Sequence, residues 1–398
     1  MNYFTVFAKK LYTALGNKPK RGLELGKIEK YENVYVVIEN GKIKDLTKEK
    51  PVDAKCIFAD LVIPGFVDCH THIPFYGYRE MDFLRRVGGL SYLDIHASGG
   101  GIYETVEKVK NAELSELVRF NLKLLAKYFK KGVTCLEGKT GYGLNELDEL
   151  KQLQALKILG KISHMDVVPT FMAAHAVPKG TSPSEYMDKV IEMLQKVQND
   201  CQFVDVFCDV GAFDLKQTEK LLIAAKNMNF KIRVHADEIE RTGATQLAVK
   251  YGATSVEHVL KISEEDIDIL ARSNTFAVLM PATSYYLNEK YAPARELIDK
   301  NALVALASDF NPGSSPVVEP SFVMNLAVRY LKMNPYEVLT AFTLNSAAVL
   351  GLADKIGTIE PGKDADLLLY NDADLETVMY LIGITPDVII KRGQIFEN

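Results

Sequence analysis

From Leu61 onward the chain repeats one pattern eight times: a short apolar run that ends in polar residues, then a longer amphipathic stretch. Short runs rich in Val, Ile and Phe read as buried strands, and the stretches between them as helices. The runs cover 61–72, 133–143, 166–178, 203–214, 231–238, 253–259, 275–283 and 303–313. Helices are predicted over Glu146–Leu159, Ser184–Gln198, Leu215–Asn227, Thr242–Tyr251, Glu264–Ala271 and Ala292–Asp299. Eight strand–helix units in succession predict an α/β fold, a (β/α)8 TIM barrel. The long stretch between the first and second runs predicts extra elements near the barrel mouth.

The two ends of the chain read differently. Residues 31–63 suggest short strands with a hairpin turn at Asn40-Gly41. Residues 356–398 again suggest strands, in IGTIEPGKDADLLLY and DVIIKRGQIFEN. Neither end holds a large core alone. Together, as 1–63 and 356–398, they are predicted to form a small β-sandwich domain beside a barrel domain of 64–355.

Composition excludes several function classes. Lys and Arg number 47 against 52 Asp and Glu, a net charge of −5 over 398 residues. That balance gives no strong pull toward nucleic acid or an anionic membrane. The basic cluster Lys18, Lys20, Arg21 is short and reads as solvated surface. The five cysteines, Cys56, Cys69, Cys135, Cys201 and Cys208, are odd in number and form no CxxC pair, as expected of a reducing compartment. The start of the sequence lacks the long apolar region of a secretory signal, and no apolar run approaches the ~18 residues that span a bilayer. A cytoplasmic protein is expected.

Seven histidines are present, and five of them fall at the ends of predicted strands: His70 with His72, His175, His235 and His258. In a TIM barrel the C-terminal strand ends form the active-site face. His70 and His72 stand two apart, so in a strand both point to one side. With His235 after the fifth strand and Asp309 after the eighth, they offer three imidazoles and a carboxylate. That set suits Zn²⁺ or a similar divalent ion, with a further position for water. A bridged two-metal site usually needs another anionic ligand from the fourth run, often a modified Lys. FVDVFCDVGAF contains no Lys, and Lys139 after the second run reads as a polar loop residue, so one metal is favoured.

PGFVDCHTH, SVEH, ASDFNPG and the closing NSAAVLGLADKIGTIEPGKDADLLLY resemble the amidohydrolase superfamily. More narrowly, REMDF (79–83), SGGGI (98–102), KTGYGL (139–144), AAHAVP (173–178), HADE (235–238) and DFNPGS (309–314) are similar to the imidazolonepropionase family. The resemblance runs from about residue 31 to the end. It implies one divalent metal ion per subunit, Zn or Fe, on His70, His72, His235 and Asp309. It also implies substrate contacts by Arg79, Tyr142, His175 and Glu238, product contacts by Asn311, Gly313 and Ser314, and a homodimer. Tyr92 is a weaker pocket candidate, with core packing the alternative.

The implied reaction is hydrolysis of the ring amide C–N bond of 4-imidazolone-5-propanoate to N-formimidoyl-L-glutamate, in histidine degradation. Water on the metal ionises near neutral pH and attacks the ring carbonyl as metal-bound hydroxide. His258, kept outside the metal set, stabilises the oxyanion. Glu238 or Asp309 carries the proton to the leaving nitrogen, the sequence leaving that choice open. Arg79 offers a planar fork for a carboxylate, or else pairs with Glu80 or Asp82 on the surface. Another cyclic amidohydrolase or a nucleobase deaminase would use the same metal set. A non-catalytic scaffold would be expected to have lost it.

Overall fold

The computed structural model describes residues 3–52, 54–89 and 100–398. Tyr92 lies outside the described residues, as does His96. The N-terminal part supplies β1 (Tyr3–Thr13), β2 (Glu29–Glu39), β3 (Lys42–Thr47) and β4 (Lys55–Pro64). The predicted hairpin joins β2 to β3. Asn40 at φ 51° and Gly41 at φ 83° both take the left-handed conformation of a type I′ turn, between the paired Glu39 and Lys42.

Eight strands follow: β5 (Phe66–Asp68), β6 (Val133–Lys139), β7 (Asp166–Ala174), β8 (Phe203–Cys208), β9 (Lys231–Ala236), β10 (Ser255–His258), β11 (Phe276–Leu279) and β12 (Leu303–Leu306). They form one parallel sheet in chain order. Its two edges meet just beyond the strands. His72 N–H donates to the Phe310 carbonyl at 2.9 Å, and Asp309 N–H donates to the His70 carbonyl at 3.1 Å. The seam that closes this TIM barrel is therefore built from the segments carrying His70, His72 and Asp309. The predicted helices are present between the strands, at Glu146–Ile162, Pro183–Val197, Leu215–Asn227, Ala244–Lys250, Glu264–Ala271 and Ala294–Asp299. The long insertion after β5 folds as helices Glu80–Val87, Ile102–Asn111 and Leu114–Lys130.

The chain ends with β13 (Leu367–Tyr370), β14 (Val388–Lys391) and β15 (Gln394–Glu397). Both ends join in a seven-stranded sheet ordered β15-β14-β13-β4-β1-β2-β3. Alternation assigns its faces. Val6, Ala8, Val36, Ile38, Val62, Leu367, Leu369 and Ile390 form a core of their own, while Leu61, Ile63, Leu368 and Ile389 join the barrel core. Both chain ends thus share one sheet with a core of its own, which Ile359 and Ala365 from outside the strands help to fill.

The run 61–72 was expected to be one strand, and it serves two sheets instead. β4 ends at Pro64 and β5 starts at Phe66. Gly65 lies so close to Thr134 that a Cβ would come within 2.4 Å of its Oγ1. The end sheet is tied to the barrel by Lys391. This residue is 5% exposed, and its Nζ lies 2.6 Å from Asp366 Oδ2 and 2.7 Å from Asp166 Oδ2. Breaking a buried pair leaves an uncompensated charge. Lys391→Met is expected to lower stability by about 3–5 kcal/mol, read as an earlier urea unfolding midpoint with turnover at low urea retained.

Candidate metal centre and active site

His70 and His72 flank Thr71 just past β5, and their side chains share the inner face. The Nε2 atoms of His70 and His72 lie 3.3 Å apart, and those of His235 and His72 3.4 Å apart. Asp309 Oδ1 lies 3.2 Å from His72 Nε2 and 3.5 Å from His70 Nε2. All four side chains are buried. Thr283 Oγ1 donates to Asp309 Oδ2 at 2.7 Å, which turns Oδ1 toward the imidazoles.

The Nδ1 atoms of two histidines point away from this cluster, to carboxylates. His70 Nδ1 is 2.7 Å from Glu257 Oε2, and His235 Nδ1 is 3.1 Å from Asp205 Oδ1. An imidazole that donates from Nδ1 presents a lone pair at Nε2. Lone pairs and a carboxylate oxygen then converge on one point. Asp309 Oδ1 has no hydrogen-bond partner among the described residues. Buried acceptors crowded in this way repel one another unless a cation sits among them. The electrostatics agree. Burial lowers the His70 pKa, but Glu257 and Asp309 outweigh it and raise it to about 9. Burial lowers the other two, His72 to about 3 and His235 below the usual imidazole range, so both stay neutral and keep a lone pair to offer a cation. The residues therefore fit a divalent ion with N and O ligands.

His258 ends β10 at φ 69°, and Asp309 follows β12 at φ 53°. Left-handed backbone is uncommon outside glycine, though Asp and His adopt it more readily than most, and it recurs at functional sites. Here it turns both side chains inward. The His258 ring lies 5.3 Å from that of His235, and its Nε2 is 3.5 Å from Glu238 Oε2. Burial keeps His258 and His175 neutral, well below the usual imidazole range. His258 also falls within a possible ligand group with His70 and Asp309.

Above the histidines opens a cavity of about 510 Å³, lined by His72, Arg79, Tyr142, His175, Glu238, His258, Asn311 and Ser314, among others. His175 stacks on His72 with centroids 4.9 Å apart, and its Nδ1 lies 3.1 Å from the Gly141 carbonyl. Tyr142 packs at 5.3 Å from His175. Burial raises the Glu238 carboxyl well above its usual range, and nearby Asp309 and Asp209 push the same way. Arg79 is 8% exposed. Its Nε has no hydrogen-bond partner among the described residues, and Asp82 Oδ2 is 4.0 Å away. Asp82 instead accepts from Gly101 N–H at 2.9 Å and Arg85 at 3.2 Å. Arg79 thus keeps only a long, buried ion pair with Asp82, without a hydrogen bond from Nε. The guanidinium lies against Gly313, where a Cβ would be 1.3 Å from Nη2. Asn311 is spent inside its own loop: Oδ1 accepts from Gly313 and Ser314 N–H, and Nδ2 donates to the Asp309 carbonyl and Ser314 Oγ.

The structure adds residues that sequence reasoning missed. Asp209 accepts from the N–H groups of Glu238, Ile239 and Glu240, at 2.8, 2.8 and 3.2 Å, and so holds the segment carrying Glu238. Glu149 gathers the N–H groups of Gly141, Gly143 and Leu144, while Gln152 accepts from Tyr142 N–H. Together they set the loop that presents Tyr142. Arg86 joins Arg79 beside Gly313, donating to its carbonyl at 3.4 Å. Lys139, expected as a polar loop residue, is instead a fully buried residue ending β6, paired with Glu137 and Asp205. The signal available was a Lys inside a run otherwise able to be buried, which demands partners.

Comparison with known proteins agrees with this geometry. The model of the amidohydrolase family matches residues 161–395. An imidazolonepropionase of Caldanaerobacter subterraneus subsp. tengcongensis is 42% identical over 387 residues, covering 94% of this chain and 92% of that one. An imidazolonepropionase of Kosmotoga olearia is 40% identical over 384 residues, covering 96% and 95%. Among solved structures, guanine deaminase of E. coli superposes with a TM-score of 0.73 at 15% identity, covering 100% of this chain and 99% of that one. A zinc-bound adenosine deaminase of Xanthomonas campestris gives 0.72 at 18% identity, covering 98% and 92%. At those identities the solved structures speak for the fold alone, whereas the two relatives match nearly end to end. The chain belongs to the imidazolonepropionase family of the amidohydrolases.

Proposed function

We propose that the protein hydrolyses the ring amide of 4-imidazolone-5-propanoate to N-formimidoyl-L-glutamate. The observation that carries this reading is one cavity with a metal-type His/Asp cluster at its floor and the buried Arg79 guanidinium on its wall. The first suits attack on a cyclic amide, and the second suits a carboxylate arm. We assign one divalent ion, Zn²⁺ or Fe²⁺, to His70, His72, His235 and Asp309. When bound, such an ion supplies Lewis acidity that activates water near neutral pH and polarises the ring carbonyl.

The chain's own groups do the rest. Arg79 clamps the propanoate, and Tyr142 and His175 orient the ring. His258 donates toward the carbonyl oxygen as negative charge develops on it. Glu238 takes the proton released by the attacking water and returns it to the leaving ring nitrogen. Asp309 is less suited to that shuttle, since Oδ2 is engaged by Thr283 and Oδ1 faces the imidazoles. Asp209→Ala frees the Glu238 segment. It is expected to lower kcat by about 10²-fold, the cost of an ångström-scale misplacement, with KM and metal content unchanged in steady-state and elemental assays.

The five free thiols, four of them buried, fit a reducing, cytoplasmic setting. Among the described residues no helix is long and apolar enough to cross a membrane.

The deciding assay follows loss of the substrate's ultraviolet absorbance with the purified protein, with and without a strong chelator. Acceleration over the spontaneous background, lost on chelation and restored by Zn²⁺ or Fe²⁺, supports the reading. A metal-loaded sample that does not accelerate the loss overturns the substrate assignment.

A further inference from the structure

Beneath the histidines the barrel interior holds a continuous chain of charge. Glu257, bonded to His70 through Oε2, accepts from Arg233 Nε through Oε1 at 2.9 Å. Arg233 Nη1 donates to Glu137 Oε1 at 2.5 Å, and Lys139 Nζ lies 2.8 Å from Glu137 Oε2. Lys139 Nζ then reaches Asp205 Oδ2 at 2.7 Å, and Asp205 Oδ1 returns to His235 Nδ1. The Thr170 and Ser255 hydroxyls donate to Glu137 and Glu257. All five charged side chains have no exposed surface.

Such a layer is ordinarily filled by branched apolar side chains. Taking five ions out of water costs several kcal/mol for each before their attraction is counted. Simple neutralisation would need only isolated pairs. Here the signs alternate along one path, Glu257, Arg233, Glu137, Lys139, Asp205, and both terminal carboxylates face the Nδ1 of a histidine in the proposed metal set.

We infer that Arg233, Glu137 and Lys139 are positioning residues, a charged brace that joins Glu257 to Asp205 and so aims the Nε2 atoms of His70 and His235 at one metal ion. This rests on the metal reading above. Each cation is held between two carboxylates, so Glu257 and Asp205 each keep one oxygen as an acceptor for an imidazole N–H. That bond fixes both ring orientation and tautomer, as partners behind metal-bound histidines do. None of the three bracing residues is itself a proposed ligand or substrate contact.

The test uses the full chain stripped of metal and titrated with Zn²⁺ against a chromogenic chelator, and with Co²⁺ followed by its visible spectrum. The pair variant Lys139→Met/Glu137→Gln removes one positive and one negative charge and touches no proposed ligand. Expected is a folded protein, by circular dichroism, that binds Zn²⁺ about 10–100-fold more weakly and shows shifted Co²⁺ bands. A folded variant with wild-type Zn²⁺ affinity and an unchanged Co²⁺ spectrum overturns the proposal. Should the pair variant fail to fold, Arg233→Lys decides by the same two readouts, since it keeps the charge but loses the fork that spans Glu257 and Glu137. Failure of the wild-type protein to bind either ion would instead remove the metal reading itself.

Discussion

Glu238→Gln is expected to lower kcat by about 10²–10⁴-fold, the usual contribution of a positioned proton carrier, while metal content stays at the wild-type level. The substitution keeps shape and volume and removes only the capacity to take up a proton. Three observations single out Glu238. It lines the cavity, its Oε2 lies 3.5 Å from His258 Nε2, and its backbone is clamped by Asp209. It is not among the atoms that converge between His70, His72 and His235. Asp309→Asn is the contrasting variant. Because Asp309 Oδ1 lies 3.2 Å from His72 Nε2, its loss is expected to reduce both metal content and turnover. Parallel measurement of bound metal and kcat separates the two roles. A Glu238→Gln enzyme within a few-fold of wild type would move the proton shuttle to Asp309.

The His/Asp cluster was legible in the sequence because its signal is local. The HxH spacing puts two imidazoles on one face, and the strand ends of a barrel form one rim. His235 and Asp309 needed only the count of strands. The hairpin at Asn40-Gly41 was legible for the same reason, since the turn chemistry sits in two adjacent residues. What was not legible depends on contacts far apart in the chain. Asp209 meets Glu238 across 29 residues, and Thr283 meets Asp309 across 26. Asp205 sits singly in an apolar strand run and Glu257 in a short, fully buried strand, and in neither case does the local pattern name the Lys and Arg that pair with them. The break at Gly65 was hidden because β4 and β5 are both apolar, and hydrophobicity does not say which sheet a strand joins. Residues 281–283, placed at the end of the run 275–283, instead open helix Pro281–Leu287. In the structure Pro281 occupies the first helical turn, where its missing N–H is not needed.

Gly313→Ala is expected to lower kcat/KM by about 10²-fold or more, chiefly through KM, although it removes no functional group. Gly313 has no left-handed backbone requirement, so an alanine is tolerated by the chain itself. The conflict is with Arg79. The added methyl would lie 1.3 Å from Nη2 and 2.1 Å from Cζ, so the guanidinium must leave the glycine's face. Asp82, already engaged by Gly101 and Arg85, would not retain it. Loss of one member of a buried charge pair costs ~2–5 kcal/mol, and each ~1.4 kcal/mol is tenfold in affinity. Arg79→Met should therefore match Gly313→Ala in size and in its effect on KM, and the double variant should be little worse than either single one, since both act on one contact. Metal content should not change in any of the three. The comparison is made with 4-imidazolone-5-propanoate and with a ring amide lacking the carboxylate arm, for which wild type and variants should be equally poor. Wild-type KM in Arg79→Met would mean that no carboxylate is read at this wall, and the barrel would then be better matched to a cyclic amide or nucleobase without an anionic arm.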